Sequence, residues 1–125
     1  MSIIVAPATL FQPGTPVTED VYGDSDGTLR GSARHQSFVF TADGDDTFGD
    51  AATLAGSAIG GRDSFTVEGE GYIYGDANSL EGSARGGADS IEARQIDTPS
   101  DVDVLYAYGD AFLMHDRALG GNDTI

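Results

Sequence analysis

The sequence predicts an all-β solenoid in which coils of about 26 residues stack on one another. Three observations predict this fold class. An aromatic residue followed by Gly-Asp recurs at residues 22–24, 48–50, 74–76 and 108–110. Apolar residues recur at fixed offsets from that motif, and short segments of alternating apolar and polar residues flank it. A fixed period of this length indicates stacked supersecondary units in place of one globular core.

The period follows from the spacing of the motif aspartates. Asp24 and Asp50 are 26 residues apart, Asp50 and Asp76 are 26 apart, and Asp76 and Asp110 are 34 apart. We explain the longer interval by an insertion of about eight residues around positions 95–103. The chain therefore divides into residues 1–20, which carry no repeat, and residues 21–125, which form the repeats.

Residues 1–20 have few structural signals. Residues 2–6 are predicted to form a short strand, and Pro7, Pro13 and Pro16 exclude a helix through the rest. Three alternatives stay open for this segment: a flexible tail, an end cap, or an arm that reaches a neighbouring molecule.

Each repeat is predicted to contain two short strands, because apolar residues alternate along them. The first, strand a, is expected at residues 36–40, 63–67 and 89–93, and the second, strand b, at residues 46–48, 72–74 and 105–108. We expect turns such as residues 68–71 between a and b, and a long loop from each Gly-Asp to the next strand a. Residues 111–118 have some helical character, although they align with that loop.

Stacking of the coils places residues of one type above one another. The expected apolar columns are Leu29, Leu54, Leu80 and Met114, and Ala33, Ala58, Ala84 and Ala118. The aromatic residues of the motif are expected to form a stacking ladder of Tyr22, Phe48, Tyr74 and Tyr108.

The composition excludes several partners. The 125 residues include 21 Asp and Glu but only six Lys and Arg, for a net charge of -15, so no basic patch can bind nucleic acid or an anionic membrane. The longest apolar run is too short to insert into a membrane. The chain has no Cys, so no disulfide can stabilise it. The negative charge favours cations as partners. A bound metal is therefore the natural means of stabilising the chain in place of a disulfide.

The stacking also aligns carboxylates. Asp24, Asp50, Asp76 and Asp110 form one expected column, and Asp63, Asp89 and Asp123 form a second. Coils of a β-solenoid lie about 4.8 Å apart, and two bare carboxylates at that distance repel by about 1 kcal/mol in water and more inside a protein. Carboxylates and backbone carbonyls are the ligands that Ca²⁺ prefers, whereas zinc and copper favour Cys and His. The alternative is that these aspartates cap turns through their own side chains.

Three segments, residues 60–65, 86–91 and 120–125, resemble the RTX (repeats-in-toxin, hemolysin-type) calcium-binding repeat, and residues 43–48 are a looser match. The resemblance implies a right-handed parallel β-roll that folds on calcium outside the cell. It also implies ligands from the carboxylates and from the carbonyls of the glycine turns. The implied residues are Asp46, Asp63, Asp89 and Asp123, with Gly60, Gly61, Gly86, Gly87, Gly120 and Gly121.

The chain departs from the family pattern in two ways. Its coil takes about 26 residues, in place of two short repeats of about nine residues each. In the first unit the glycine pair is missing and Gln36 stands where the others have Asp. We therefore expect the first unit to lack a complete site.

No residues predict catalysis. His35 and His115 occupy non-equivalent positions. Ser25 has Gly-x-Ser-x-Gly spacing at residues 23–27, but this segment belongs to the recurring Gly-Asp motif and no predicted helix follows it, so it is not a nucleophile elbow. We expect a non-enzymatic extracellular protein that is exported without an N-terminal signal peptide, by a type I-like route.

Its first unit begins with strand b and its last ends with strand a, so copies are expected to stack head to tail into a filament or matrix, with residues 1–20 bridging the junction. The alternatives are a calcium buffer, and an adhesin fragment or calcium-dependent folding and secretion module of a larger RTX-like protein.

Overall fold

The structure is a computed structural model that describes residues 2–5, 9–94, 97–98, 101–102 and 105–125. Within these ranges all regular elements are β-strands. No helix there is long and apolar enough to cross a membrane. The strands are β1 Ser2–Ile4, β2 Leu10–Val17, β3 Asp20–Tyr22, β4 Ser25–Leu29, β5 Ser37–Phe48, β6 Ala51–Leu54, β7 Ser64–Tyr74, β8 Ala77–Leu80, β9 Ser90–Arg94, β10 Asp97–Thr98, β11 Asp101–Val102, β12 Leu105–Tyr108 and β13 Ala111–Met114.

Corresponding strands of successive coils pair in parallel. One sheet has the order β1-β3-β5-β7-β12, with β2 also paired to β5 and β9 to β7. A second sheet has the order β13-β8-β6-β4. Phe48 pairs with Tyr74 and Leu54 with Leu80, so the register advances by 26 residues per coil. The predicted β-solenoid and its coil length are confirmed.

Strands a and b of the inner coils are one continuous strand, so the turn expected at residues 68–71 is wrong. β7 runs through that segment, and the pairing of β5 with β7 shifts register between Asp43 and Asp46. Gly69 and Gly71 have φ angles of 110° and 133°. Glycine adopts such angles without steric strain, so the chain bends there without leaving the sheet.

The loop expected after each Gly-Asp motif contains a short strand that sequence alternation did not reveal. Ala111 pairs with Ala77 and Met114 with Leu80 in the second sheet. Helical character at residues 111–118 was therefore a wrong expectation, because pairing with the preceding coil decides the conformation. The alanine column also changes at one end, since Ser32 pairs with Ile59 and Ala33 is consequently out of register with Ala58.

Buried residues form columns along both sheets. Leu54, Leu80 and Ala84 are fully buried along the second sheet, and Phe38 stacks on Phe65 with ring centroids 4.6 Å apart along the first. The expected aromatic ladder is present: successive rings of Tyr22, Phe48, Tyr74 and Tyr108 are 4.9, 4.9 and 5.1 Å apart. Stacked aromatic pairs contribute about 0.5–1.5 kcal/mol each beyond the burial of their area.

The N-terminal segment packs on the first repeat coil. β1 pairs with β3 and β2 with β5, and Val5 and Val17 are buried in the same cluster as Val21 and Phe38. Near the other end, β10 and β11 pair as short antiparallel strands inside the predicted insertion. The outermost insertion residues, Gln95 and Asp103, lie outside the described residues.

Candidate metal centre

The two predicted columns of carboxylates are present. The N–H of Asp50 donates to the carbonyl of Asp76 at 2.8 Å, and the N–H of Asp76 donates to the carbonyl of Asp110 at 2.9 Å. In the second column, Ser64 pairs with Ser90 and Ser90 with Thr124, which places the preceding residues Asp63, Asp89 and Asp123 in register.

Aspartates of the first column close the loop within their own coil. The carboxylate of Asp50 accepts from the N–H of Gly61 at 3.0 and 3.1 Å, and Asp76 Oδ1 accepts from the N–H of Gly87 at 2.7 Å. Asp110 Oδ1 accepts from Gly121 in the same way, and Asp24 Oδ2 accepts from the N–H of Arg34 at 3.1 Å. Each aspartate of the first column therefore caps a turn with at least one carboxylate oxygen, which is the alternative role that the sequence left open.

Aspartates of the second column join successive coils. Asp89 Oδ1 accepts from the N–H of Asp63 at 2.8 Å, and Asp123 Oδ1 accepts from the N–H of Asp89 at 3.0 Å. Asp63 Oδ1 likewise accepts from the N–H of Gln36 at 2.8 Å. One oxygen of each carboxylate thus binds the backbone of the preceding coil.

The other oxygen has no partner at Asp63 and Asp89, and one oxygen of Asp76 in the first column is in the same state. Oδ2 of Asp63, Asp76 and Asp89 is buried and receives no hydrogen bond from an N–H group. Asp50 can donate to Asp63 and Asp76 only when its own carboxyl is protonated. Leaving a buried polar atom unpaired costs about 1–3 kcal/mol, and more when the group carries a charge. Each of these oxygens therefore requires a proton or a cation.

Glycine carbonyls lie beside the unpaired oxygens. A Cβ atom built on Gly49 would overlap both the carbonyl oxygen of Gly75 and Asp63 Oδ2. A Cβ on Gly75 would likewise overlap the carbonyl oxygen of Gly109 and Asp89 Oδ2. The carbonyl of Gly75 faces the preceding coil, whereas the carbonyl of Gly61 faces the following coil, against Gly87. Carboxylate and carbonyl oxygens of two coils consequently converge between them.

Burial makes the ionised carboxylates unfavourable. Burial raises the pKa of Asp50, Asp63 and Asp76 well above the usual range, and it raises the pKa of Asp89 to about 9. Neighbouring carboxylates add to the effect, with Asp63 acting on Asp50 and Asp76 acting on Asp89. Hydrogen bonds from backbone N–H groups oppose the shift without cancelling it. A divalent cation beside these groups would restore their ionised form.

The available donors fit a hard cation. Within the ranges that the structure describes, no three side chains of His, Cys, Asp or Glu meet as a metal-binding group. A metal would therefore depend on backbone carbonyls of Gly61 and Gly75 as well as on carboxylates. His35 is exposed, and its Nδ1 is bonded to the carbonyl of Arg62 at 2.7 Å. An all-oxygen set of this kind suits Ca²⁺.

The structure separates one predicted ligand from the rest. Asp46 lies in β5, pairs with Tyr72 and donates its backbone N–H to Asp20 Oδ1 at 3.1 Å, outside both columns. Burial and then the charge of Asp20 raise the pKa of Asp46. The looser match at residues 43–48 therefore has its aspartate outside both columns, and Gln36, which precedes the pair Ser37 and Ser64, holds the equivalent place in the second column.

The carbonyl oxygens of Gly49, Gly75 and Gly109 are possible ligands that the sequence analysis did not predict. Their carbonyls face the preceding coil, at Gly23, Gly49 and Gly75 respectively, and leave no room for a side chain there. The recurrence of Gly before each aspartate of the first column was the available signal. The turn glycines Gly60, Gly86 and Gly120 have a different role, because each allows a first-column carboxylate to approach closely.

Comparison with known proteins finds no matching family, no matching curated protein and no matching solved structure.

Proposed function

We propose that this chain is a non-enzymatic, extracellular calcium-binding β-solenoid that folds when calcium binds. The observation that carries the proposal is the pair of buried, unpartnered oxygens Asp63 Oδ2 and Asp89 Oδ2 beside glycine carbonyls of the next coil. A cation between coils satisfies these oxygens and removes the repulsion along the column. The resemblance of residues 60–65 and 86–91 to the RTX repeat supports calcium as that cation.

Folding and binding are coupled by the architecture. Each coil of a solenoid contacts only its neighbours, so the junction between coils determines stability. With a net charge of -15, the chain repels itself when compact. A cation that binds only the stacked coils stabilises them in proportion to its concentration. Extracellular calcium modules typically have dissociation constants of about 10⁻⁴–10⁻³ M. We propose a site of this class, which calcium fills outside the cell.

We further propose that copies of this chain stack head to tail. Met114 is 45% exposed and Ile125 is 70% exposed, whereas Leu80 and Ile91, which hold the same positions one coil earlier, are 0% and 4% exposed. The coil of β12 and β13 therefore presents an apolar face of the kind that the inner coils bury.

A second copy is the occupant that fits this face. The four-stranded sheet ends in β13 on one side and in β4 on the other, and neither has a second partner among the described residues. Pairing of β13 with β4 of another copy would continue that sheet in parallel. Contacts of this type do not close on themselves, so they produce filaments. The N-terminal segment, which packs beside β3 and β5, would lie at the junction.

The alternative is a calcium-dependent folding or secretion module, or an adhesin fragment, of a larger RTX-like protein. The same exposed face at Met114 supports it, because further coils of one chain would bury that face equally well. The two proposals differ in the assembly state of the isolated calcium-loaded chain.

A calcium titration of chelator-treated protein tests the function. Circular dichroism reports folding, light scattering reports assembly, and electron microscopy identifies fibres. The proposal expects β-signal and scattering to rise together and fibres to appear. A β-signal that rises while the protein stays monomeric would favour the module. If calcium changes neither signal, the proposed calcium-dependent folding is wrong.

A further inference from the structure

Gln36 occupies the first position of the second carboxylate column. Ser37 pairs with Ser64, so Gln36 lies in register with Asp63, and only 4% of Gln36 is exposed. Its backbone N–H donates to Asp63 Oδ1, just as the N–H of Asp63 donates to Asp89 Oδ1 one coil later. The backbone arrangement is thus the same at both junctions, and the side chain differs.

The side-chain amide of Gln36 is surrounded by acceptors. Its nitrogen lies 3.1 Å from Asp63 Oδ1, 2.8 Å from the carbonyl oxygen of Arg34 and 3.2 Å from the carbonyl oxygen of Gly49. The orientation of the amide follows from these surroundings, because the opposite one would place its oxygen against three acceptors. The NH₂ group therefore supplies the positive partner for these oxygens.

The next junction has the same acceptors and no such donor. Shifted by one coil, the three oxygens around the Gln36 nitrogen correspond to Asp89 Oδ1 and the carbonyl oxygens of Gly61 and Gly75. At this junction Asp63 adds another acceptor, Oδ2, which is buried without a partner. This pattern is expected if the Gln36 amide takes the place of a cation at the first junction. The second junction then keeps the set of oxygens that a cation would bind.

We propose that the Gln36 amide replaces the cation at the first junction, so that the first two repeat coils join without metal and cation binding starts at the junction of Asp63 and Asp89. This inference rests on the proposed function. It defines a metal-independent unit, which consists of the N-terminal segment and the coils that contain Gln36 and Asp63. The later coils stack on this unit when calcium is present.

Counting bound ions tests the inference. Native mass spectrometry with added calcium is expected to show one more ion on Gln36→Asp than on the wild type, because aspartate restores the column. Gln36→Asn is the matched control, since it has the length of aspartate without its charge, and it should bind the wild-type number. Asp89→Asn is expected to bind fewer ions, which shows that the count responds to the column.

The outcomes separate the two proposals. A wild type that binds calcium while Gln36→Asp binds the same number overturns the role of Gln36 and leaves the proposed function standing. A wild type that binds no calcium overturns both.

Hydrogen exchange on the wild type in chelator gives a second test that does not depend on the folding of a variant. The backbone N–H groups of Gly23 and Gln36, which bond across the first junction, should be protected. Those of Asp63 and Gly49, which bond across the second junction to the coil of Asp89, should exchange rapidly. Equal protection at both junctions would contradict the inference.

Discussion

The N–H of Asp63 donates a hydrogen bond of 2.8 Å to Asp89 Oδ1, while Asp89 Oδ2 is buried without a partner. One carboxylate thus has two different environments. Its first oxygen fixes the distance and register between coils, and its second remains available for a cation. This division explains how a column of acids can both define the stack and require a proton or a cation within it.

Asp89→Asn should weaken calcium binding by about tenfold or more, equivalent to about 1.4 kcal/mol. The amide keeps one oxygen and the volume of the side chain, but it removes the charge beside Gly75. Isothermal calorimetry on chelator-treated protein measures the effect. Asp43→Asn is the control, because Asp43 is exposed and lies outside both columns. Equal binding by Asp89→Asn and the wild type would contradict the assignment.

Metal-free protein should become less stable as the pH rises. In the folded state burial raises the pKa of Asp89 from 3.8 to about 9, so between these values the folded chain holds a proton that the unfolded chain releases. A raised pKa stabilises the fold at low pH, and this contribution is lost as the pH passes from about 4 towards 9. Circular dichroism and urea unfolding in chelator measure this change, starting near pH 4, where protonated carboxylates allow the coils to stack without metal.

The metal-loaded protein should lack most of this pH dependence near neutrality, because calcium requires ionised carboxylates and displaces the protons. Asp89→Asn should reduce the slope of the metal-free protein. Stability of the metal-free wild type that increases between about pH 5 and pH 9 would be the opposite of the expected sign.

Gly87→Ala should destabilise the calcium-loaded fold by about 1–3 kcal/mol or more. A Cβ atom at Gly87 would overlap the carbonyl oxygen of Gly61, and both groups belong to backbone that cannot move without separating the coils. Gly31→Ala is the matched control, since no atom lies within 4 Å of a Cβ built there. Thermal unfolding followed by circular dichroism compares the two, and equal melting temperatures would refute the close approach.

Phe48→Ala should cost about 3–5 kcal/mol of unfolding free energy, as other buried Phe→Ala changes do. The ring lies between Tyr22 and Tyr74 at 4.9 Å from each, so the substitution interrupts the ladder inside the stack. Phe11→Ala should have little effect, because Phe11 is 71% exposed. Urea unfolding in calcium distinguishes them, and a small effect at Phe48 would show that the ladder contributes little.

Met114→Glu should prevent assembly while calcium-dependent folding persists. A charge at this position opposes burial of the apolar face, and the inner coils do not depend on it. Ile59→Glu provides the control, since Ile59 is also exposed but belongs to an inner coil. Light scattering reports assembly and circular dichroism reports folding. Filaments of Met114→Glu that form as readily as those of the wild type would exclude this face from the contact.

The repeat made part of this structure predictable. Leu54 and Leu80, or Asp63 and Asp89, are single residues of common types, but the same type at the same offset indicates coils in register. The continuous strand β7 could not be inferred in this way, because it depends on the φ angles of Gly69 and Gly71. The short strands of the second sheet were missed for another reason: small residues in segments such as β6 give no clear alternation.

The separate roles of the carboxylate oxygens in the candidate site could not be predicted from the sequence either. Spacing aligned Asp76 with Asp50, but it could not show which carboxylate oxygen closes a turn and which has no partner. It identified Gln36 as a departure from the column without indicating that an amide nitrogen faces three oxygens. Both facts depend on the path of the backbone around the glycines.

Crystals grown with calcium and measured at a long X-ray wavelength would show whether calcium lies between the coils, because the anomalous signal identifies calcium atoms. We predict an anomalous peak between successive coils, at a calcium ion bound by carboxylate oxygens of Asp63 and Asp89 and by carbonyl oxygens of Gly61 and Gly75. We predict no peak beside Gln36. Well-ordered carboxylates at Asp63 and Asp89 without an anomalous peak between them would contradict the prediction.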